Sequence, residues 1–111
     1  MVEAGLADRA ALFAALGDET RLRLVERLSK GEPLSISRLA DGEPVTRQAI
    51  TRHLEVLEGA GLVRGTRIGR ERVWEIDPRR FTDAEEALAR IRTEWSERLS
   101  RLKSFVEERP D

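Results

Sequence analysis

Apolar residues recur every three or four positions along most of the chain, and this spacing predicts helices. The first predicted helix runs from Leu6 to Leu16, and Gly17 ends it. Asp18 is placed to cap a second helix, which Gly31 ends. The apolar residues Leu6, Ala10, Phe13 and Leu16 lie along one side of the first helix, and Leu22, Val25 and Leu28 are expected to line the inner side of the second.

Two shorter helices are predicted within residues 35–60, and each has a capping residue at its start. Ser35 can cap the first of them, and Thr46 can cap the second, which a Gly-Ala-Gly run ends. A Gly-Glu-Pro run makes the turn between them. Two short helices joined by a turn that contains glycine predict a helix-turn-helix at about residues 35–60.

Beyond residue 61 the chain changes to two β-like runs, over residues 62–68 and 72–76. Gly69-Arg70-Glu71 between them indicates a tight hairpin connection, and Asp77-Pro78 ends the second run. A long helix follows over about residues 82–108. The predicted fold is therefore mainly α with a β-hairpin, in the order α-α-α-α-β-β-α, as a single domain of residues 1–111.

A helical wheel divides the fourth helix into an apolar seam and a polar face. With Ile50 at zero, Leu54 and Leu57 fall at about 40° and 340°, whereas Gln48 and Arg52 fall near 160° and 200°. A helix fits the DNA major groove, where Arg can pair with guanine, Gln with adenine, and a Thr methyl with the thymine methyl. The candidate DNA-binding residues on this helix are Thr46, Arg47, Gln48, Thr51 and Arg52.

Arginine is frequent in the hairpin that follows this helix. A hairpin with an arginine-rich tip suits contact with a phosphate backbone or the minor groove. The alternative is a solvated hairpin whose charges deter pairing with other strands. The candidate DNA-binding residues here are Arg67, Arg70 and Arg72.

The net charge of −1 conceals an uneven distribution. Residues 46–72 contain six arginines and three glutamates, a local charge of +3, so the remaining residues sum to −4. A basic segment inside an acidic protein is expected of a nucleic-acid contact, although an ordinary solvated surface would carry the same charges.

Composition excludes several classes of protein. The chain has no cysteine, which removes disulfides, thiolate metal sites and cysteine nucleophiles and agrees with a cytoplasmic location. No apolar run approaches the ~18 residues that a membrane span requires. His53 is the single histidine, and its place beside the seam indicates a packing or hydrogen-bonding role. With no nucleophile-plus-base pair and no phosphate-binding loop, we expect neither enzymatic activity nor a cofactor.

Three segments, LGDETRLRLVERL, PLSISRLA and VTRQAITRHLEVLEGAGLVRGTRIGRERVWEI, resemble the ArsR-type winged-helix repressors over about residues 10–77. The resemblance implies a homodimeric bacterial transcription regulator. It also implies that the hairpin, residues 62–76, is the wing, and that the first and last helices, about residues 6–16 and 82–108, form the dimer interface.

Metal sensing, which the resemblance implies for many members of this family, does not fit this chain. The arsenic and cadmium sensors have a Cys-x-Cys at the positions that match Ser35 and Ser37 here. The last helix, which carries His and Asp ligands in other members, has no histidine in this chain. We therefore expect a member that senses no metal.

The predicted last helix is roughly 40 Å long at 1.5 Å per residue, and its apolar stripe is too long for so small a domain to cover. A twofold dimer would bury it. The dimer would bind an inverted repeat in double-stranded DNA and act as a repressor, with no effector named by the sequence. The alternative is a protein–protein module anchored by Trp74 or Trp95. The expected dimer-interface residues are Leu6, Phe13, Leu16, Leu88, Ile91, Trp95, Leu99 and Leu102.

Overall fold

The computed structural model describes residues 5–108; the ends of the expected domain, residues 1–4 and 109–111, lie outside this range. Four helices precede a β-hairpin and a long final helix, as predicted, and a two-residue strand is added before the third helix. The elements are α1 (Leu6–Leu16), α2 (Glu19–Leu28), β1 (Leu34–Ser35), α3 (Ile36–Ala40), α4 (Arg47–Gly59), β2 (Val63–Ile68), β3 (Glu71–Ile76) and α5 (Pro78–Glu108).

Side-chain caps fix the starts of three helices, and all three were predicted. The Asp18 carboxylate accepts a hydrogen bond from the Arg21 amide at 3.1 Å. The Ser35 hydroxyl accepts from the Arg38 amide at 3.3 Å, and the Thr46 hydroxyl accepts from the Ala49 amide at 3.1 Å. Each bond satisfies an amide that has no partner inside its helix, which is why the helices begin at these residues.

The sheet has three antiparallel strands in the order β1-β3-β2. Strand β1 pairs through Leu34 with Trp74 and through Ser35 with Val73. Two residues are too few for an alternating pattern, so the sequence did not predict this strand. The hairpin turn is Gly69-Arg70, one residue shorter than expected, because Glu71 pairs with Ile68. Gly69 has a φ of 62°, which suits the first central position of a type II′ turn.

The core lies between α1, α2, α3, α4 and the sheet, and Trp74 is its largest fully buried side chain. In α2 the prediction for Leu22 was wrong, since Leu22 is 45% exposed and Leu24 is fully buried. On a wheel, Leu24, Val25 and Leu28 lie within about 100° of one another, and Leu22 falls outside that arc. Trp74, proposed as a partner anchor in the protein–protein alternative, is covered by this core and is not available for docking.

Helix α5 begins at Pro78, four residues before the expected start. Proline suits the first position of a helix because the amide it lacks would have no partner there. Just before it, the buried Asp77 carboxylate accepts hydrogen bonds from the Arg79 amide at 3.2 Å and the Arg79 guanidinium at 2.7 Å. These bonds outweigh the effect of burial and lower the pKa of Asp77 to about 2.

Most of α5 projects beyond the rest of the domain. Its buried residues are Ala84 and Ala87, near its start. The radius of gyration is 19.4 Å, whereas a compact domain of this length has about 13 Å. Within residues 5–108, no helix combines the length and apolar character needed to cross a membrane. The exposed part of α5 therefore carries an apolar surface that nothing else within residues 5–108 covers.

Candidate nucleic-acid interface

Helix α4 buries one face and exposes the other, as the wheel predicted. Ile50, Leu54 and Leu57 are fully buried in the core. Gln48 and Arg52, on the opposite side, are exposed. This division follows from the 3.6-residue period, because anchoring the apolar seam forces the intervening polar side chains outward.

The first turn of α4 uses some of its polar groups within the protein. The Thr46 hydroxyl caps the helix, and the half-buried Thr51 donates its hydroxyl to the Arg47 carbonyl at 3.0 Å. The Arg47 guanidinium donates to the Ser37 hydroxyl on α3. Thr46, Arg47 and Thr51 are therefore placed at the surface, but their hydroxyls and guanidinium already have partners.

A surface cavity of about 330 Å³ lies where α3, α4 and the start of β3 meet. It brings together four of the predicted DNA-binding residues from two separate segments of the chain. Glu71 also lines it, and its carboxylate is the one negative group of the lining. The lining residues are Ser35, Ile36, Ser37, Arg47, Gln48, Thr51, Glu71 and Arg72.

The tip of the wing, the β2–β3 hairpin, presents cations. Arg67 and Arg70 are exposed, and within the described part of the chain no carboxylate pairs with either side chain. Arg67 is also the direct cross-strand partner of Arg72. Like charges opposite each other destabilise a strand pair, and a bound anion such as phosphate would relieve that cost.

Arg72 is held inside the domain more firmly than a free phosphate-binding arginine would be. Its guanidinium donates to both Glu58 carboxylate oxygens, at 3.2 and 3.3 Å, and lies 4.4 Å from the centre of the Trp74 ring. Glu58 also accepts from the Gly65 amide at 3.2 Å. Since Glu58 belongs to α4 and Gly65 to β2, these contacts fix the wing against the end of α4.

Glycine at position 65 makes room for this arrangement. A Cβ atom at Gly65 would lie 2.7 Å from Arg72 Nε and 3.1 Å from the Trp74 ring. Any side chain there would therefore displace the arginine or the ring. The sequence predicted Arg72 only as a DNA contact, and it gave no signal for the partnership with Glu58 because the two residues meet only in the fold.

His53 forms a hydrogen bond within the protein rather than lying on the exposed face of α4. Its Nδ1 lies 3.3 Å from the Arg21 guanidinium and 3.9 Å from the Asp18 carboxylate. Arg21 also donates to the Ala15 carbonyl at 2.7 Å, so it connects α1, α2 and α4. The Arg21 amide, which donates to Asp18, lowers the pKa of that carboxyl. Among residues 5–108 there is no cluster of three or more His, Cys, Asp or Glu suited to a metal ion.

The predicted dimer residues form a second surface, away from α4. Phe13 and Leu16 are half-buried and pack against the core, and Leu6 is 76% exposed. The apolar face of α5 is also exposed: Trp95, for example, is 58% accessible and lines an open groove of about 760 Å³. We call this face the α5 stripe; it comprises Leu88, Ile91, Trp95, Leu99, Leu102, Phe105 and Val106.

Two residues of these surfaces were missed from the sequence. Ser37 had been considered only as a replaced metal ligand, yet it lines the cavity and holds Arg47. Its place in the short helix before α4 was the available signal. Phe105 had been omitted from the apolar positions of the last helix, although it lies three residues after Leu102 and is exposed in the α5 stripe.

Comparisons with known proteins agree with this architecture. Residues 16–66 match the family model of a helix-turn-helix domain. The chain is 37% identical over 108 residues to the HTH-type transcriptional regulator Rv2034 of Mycobacterium tuberculosis, covering 94% of this chain and 92% of the relative. It is 38% identical to the solved structure of an ArsR-like transcriptional regulator from Rhodococcus sp. RHA1, with a TM-score of 0.78 over 93% of this chain and 96% of that one.

A third comparison concerns assembly. A solved winged helix-turn-helix DNA-binding domain from Mycobacterium bovis, described as homodimeric, is 22% identical with a TM-score of 0.63, covering 86% of this chain and 85% of that one. At that identity it supports the fold alone.

A winged helix-turn-helix is thus the class that the fold and the paired α4–wing surface define. The chain belongs to the ArsR-type family of DNA-binding transcriptional regulators.

Proposed function

We propose that this regulator binds a specific DNA sequence by inserting α4 into the major groove, with the wing tip on the neighbouring backbone. The observation that carries the proposal is the exposure of Gln48 and Arg52 on the face of α4 opposite its fully buried seam. A helix rigidly anchored along one side presents the other at a fixed angle, as base recognition requires.

The chemistry of each side chain suggests its part in recognition. Arg52 suits a bidentate contact with guanine and Gln48 one with adenine, and each such contact is worth roughly 1–3 kcal/mol of discrimination. The hydroxyl of Thr51 is engaged by the Arg47 carbonyl, so its methyl group is the part suited to a thymine methyl. Arg67 and Arg70 would bind phosphate, which positions the protein without reading sequence.

Repression by a homodimer is the form of regulation that we propose. A second copy would cover the α5 stripe, which a soluble monomer would otherwise leave in water. Twofold symmetry places two α4 helices in successive major grooves when the half-sites are about one helical turn apart. A dimer on such an inverted repeat within a promoter would exclude RNA polymerase. We place this activity in the cytoplasm and expect it to require neither catalysis nor a metal.

The proposal is tested by incubating the purified protein with fragmented bacterial genomic DNA and sequencing the fragments it retains. We expect enrichment of an inverted repeat with half-sites about one helical turn apart. The Gln48→Ala variant should retain the repeat but accept other bases at one position per half-site. Arg90→Ala is the matched control, because it removes an exposed side chain of α5, and it should select the same sequence as the parent.

Two results would contradict the proposal. Retained fragments without any shared dyad would exclude sequence-specific binding by a symmetric dimer. An unchanged base preference in Gln48→Ala, with the dyad intact, would show that another surface reads the bases.

A further inference from the structure

Glu55 places a carboxylate in the middle of the exposed face of α4. With Ile50 at zero on the wheel, Glu55 falls near 140°, between Thr51 near 100° and Arg52 near 200°. Its side chain is exposed to solvent. Because the fully buried seam fixes the rotation of the helix, Glu55 faces the same way as the residues proposed to read bases.

Glu55 also completes a spacing that is typical of helices lying in the major groove. Such a helix can contact bases through residues at i, i+3, i+4 and i+7. Counted from Gln48, these positions are Thr51, Arg52 and Glu55. We call these four residues the reading face. Seven residues cover about 10.5 Å at 1.5 Å per residue, so the reading face spans about three base pairs at 3.4 Å each.

Helix α4 contains two glutamates, and only one of them is neutralised inside the protein. The Glu58 carboxylate accepts hydrogen bonds from the Arg72 guanidinium at 3.2 and 3.3 Å and from the Gly65 amide at 3.2 Å. Among residues 5–108 the Glu55 carboxylate has no such partner, although Arg52 lies one turn before it. Its charge and its acceptor oxygens are therefore free to meet a ligand.

A free carboxylate on this face lowers the affinity for DNA in general, because DNA is a polyanion. What it can gain depends on the base edge that it meets. A carboxylate only accepts hydrogen bonds. Guanine and thymine present acceptors in the major groove, and adenine presents an acceptor beside its amine, whereas cytosine presents an amine alone. Cytosine is therefore the base whose edge suits this carboxylate.

We propose that Glu55 is a further specificity-determining residue, whose carboxylate accepts a hydrogen bond from the N4 amine of one cytosine in each half-site. The inference rests on the proposed function, since it requires α4 in the major groove. Glu55 follows Arg52 by about 4.5 Å along the helix, so this cytosine lies in the base pair next to the guanine that Arg52 contacts. The adenine that Gln48 contacts lies on the other side of that guanine.

Glu55 acts mainly by rejecting the wrong sequences. At a half-site with another base in this position, its carboxylate loses the amine donor and faces acceptor atoms or a methyl group. We expect this to cost roughly tenfold in affinity for each altered half-site. On DNA of unrelated sequence the carboxylate gains nothing and still repels phosphate.

The test measures the affinity of the protein for operator duplexes in which each base pair of one half-site is changed in turn. Fluorescence anisotropy gives the dissociation constants, and Arg52→Ala locates the guanine. The parent protein should prefer cytosine at the neighbouring base pair by roughly tenfold. Glu55→Ala should lose that preference and bind unrelated DNA more tightly than the parent does. Glu55→Gln should move the preference to adenine, because an amide pairs with adenine N6 and N7.

Glu26→Gln is the matched control. It removes one exposed carboxylate from α2, outside the reading face, and changes the net charge by the same amount as Glu55→Gln. Its base preference should equal that of the parent protein. Circular dichroism checks that the variants are folded, which we expect because Glu55 is exposed and holds no other part of the domain.

The outcomes separate this inference from the proposed function. Preference lost in Glu55→Ala and moved in Glu55→Gln, at the base pair beside the guanine, supports the proposal. Identical preference in the parent and both Glu55 variants overturns it; if Gln48→Ala still relaxes its own position, the proposed function stands. A change confined to the guanine also overturns it, since Glu55 would then only orient Arg52. No change in any of these variants contradicts the proposed function as well.

Discussion

Helices α4 and α5 are both amphipathic, but the protein treats their apolar faces in opposite ways. In α4 the seam residues Ile50, Leu54 and Leu57 are fully buried, so its polar face is the part left without a partner. In α5 only Ala84 and Ala87 are buried, so its apolar face is the part left over. What each helix leaves unsatisfied indicates its partner: polar and cationic groups suit DNA, and an apolar stripe suits a second copy.

The largest effect should come from the α5 face. Trp95→Ala removes an exposed aromatic side chain at the centre of the proposed contact. We expect it to weaken dimerisation by about 2–4 kcal/mol, the range for a central aromatic residue of an interface. Sedimentation equilibrium measures the dimer, and binding to the selected DNA should weaken in parallel.

Leu22→Ala is the control for that variant, because it shortens an apolar side chain of similar exposure on α2. It should leave the dimer unchanged. Equal dissociation constants for Trp95→Ala and the parent protein would remove Trp95 from the interface.

The second-largest effect should come from the contacts that hold the wing against α4. Gly65→Ala places a Cβ atom where the Arg72 guanidinium lies against Trp74. We expect a loss of about 1–3 kcal/mol in the free energy of unfolding, as for other overpacked sites. Urea titration measures it, with the exposed neighbour Thr66→Ala as control. No loss would mean that Arg72 moves aside at no cost and does not fix the wing.

A smaller effect is expected at the wing tip. Arg70→Ala should reduce affinity for all sequences alike and lower the slope of log K against log salt by about 2 per dimer, one phosphate from each wing. Fluorescence anisotropy at several salt concentrations gives the slope. An unchanged slope would show that Arg70 does not contact DNA phosphate. Arg90→Ala is the control, and its salt slope should equal that of the parent protein.

The smallest effect concerns acid stability. The Arg79 guanidinium and amide hold the pKa of Asp77 at about 2, below its ordinary value of 3.8. A carboxyl with a lowered folded-state pKa stabilises the fold above its unfolded pKa, and that contribution is lost as pH falls from about 4 to 2. Asp77→Asn should flatten the dependence of unfolding free energy on pH in this window. A parallel pH curve for parent and variant would contradict the assignment.

Local signals in the sequence were enough for the starts of α2, α3 and α4 and for the two faces of α4. A cap such as Asp18 or Thr46 acts on an amide three residues away, and a seam depends only on the helical period. Features that depend on distant contacts were not predictable. Strand β1 exists only because Trp74 and Val73 pair with it, and Arg72 is held by Glu58 from another element. The burial of Leu24 in place of Leu22 was missed for the same reason, since the elements that pack against α2 determine which of its residues are buried.

The candidate site was partly predictable for related reasons. The exposure of Gln48 and Arg52 followed from the wheel, and the cationic wing tip followed from composition. The wheel could not show that the hydroxyl of Thr51 is engaged by the Arg47 carbonyl. It also could not show that Ser37 lies beside Arg47, because a wheel of one helix does not show how α3 packs against α4.

Dimethyl sulfate protection of the selected operator tests the central claim, that α4 enters the major groove through its exposed face. The reagent methylates guanine N7 in that groove, where a bound arginine blocks it. We expect the parent protein to protect one guanine at symmetric positions in two half-sites, and Arg52→Ala to lose that protection while still occupying the DNA. Protection that is identical with and without the Arg52 side chain, or confined to one half-site, would contradict the account.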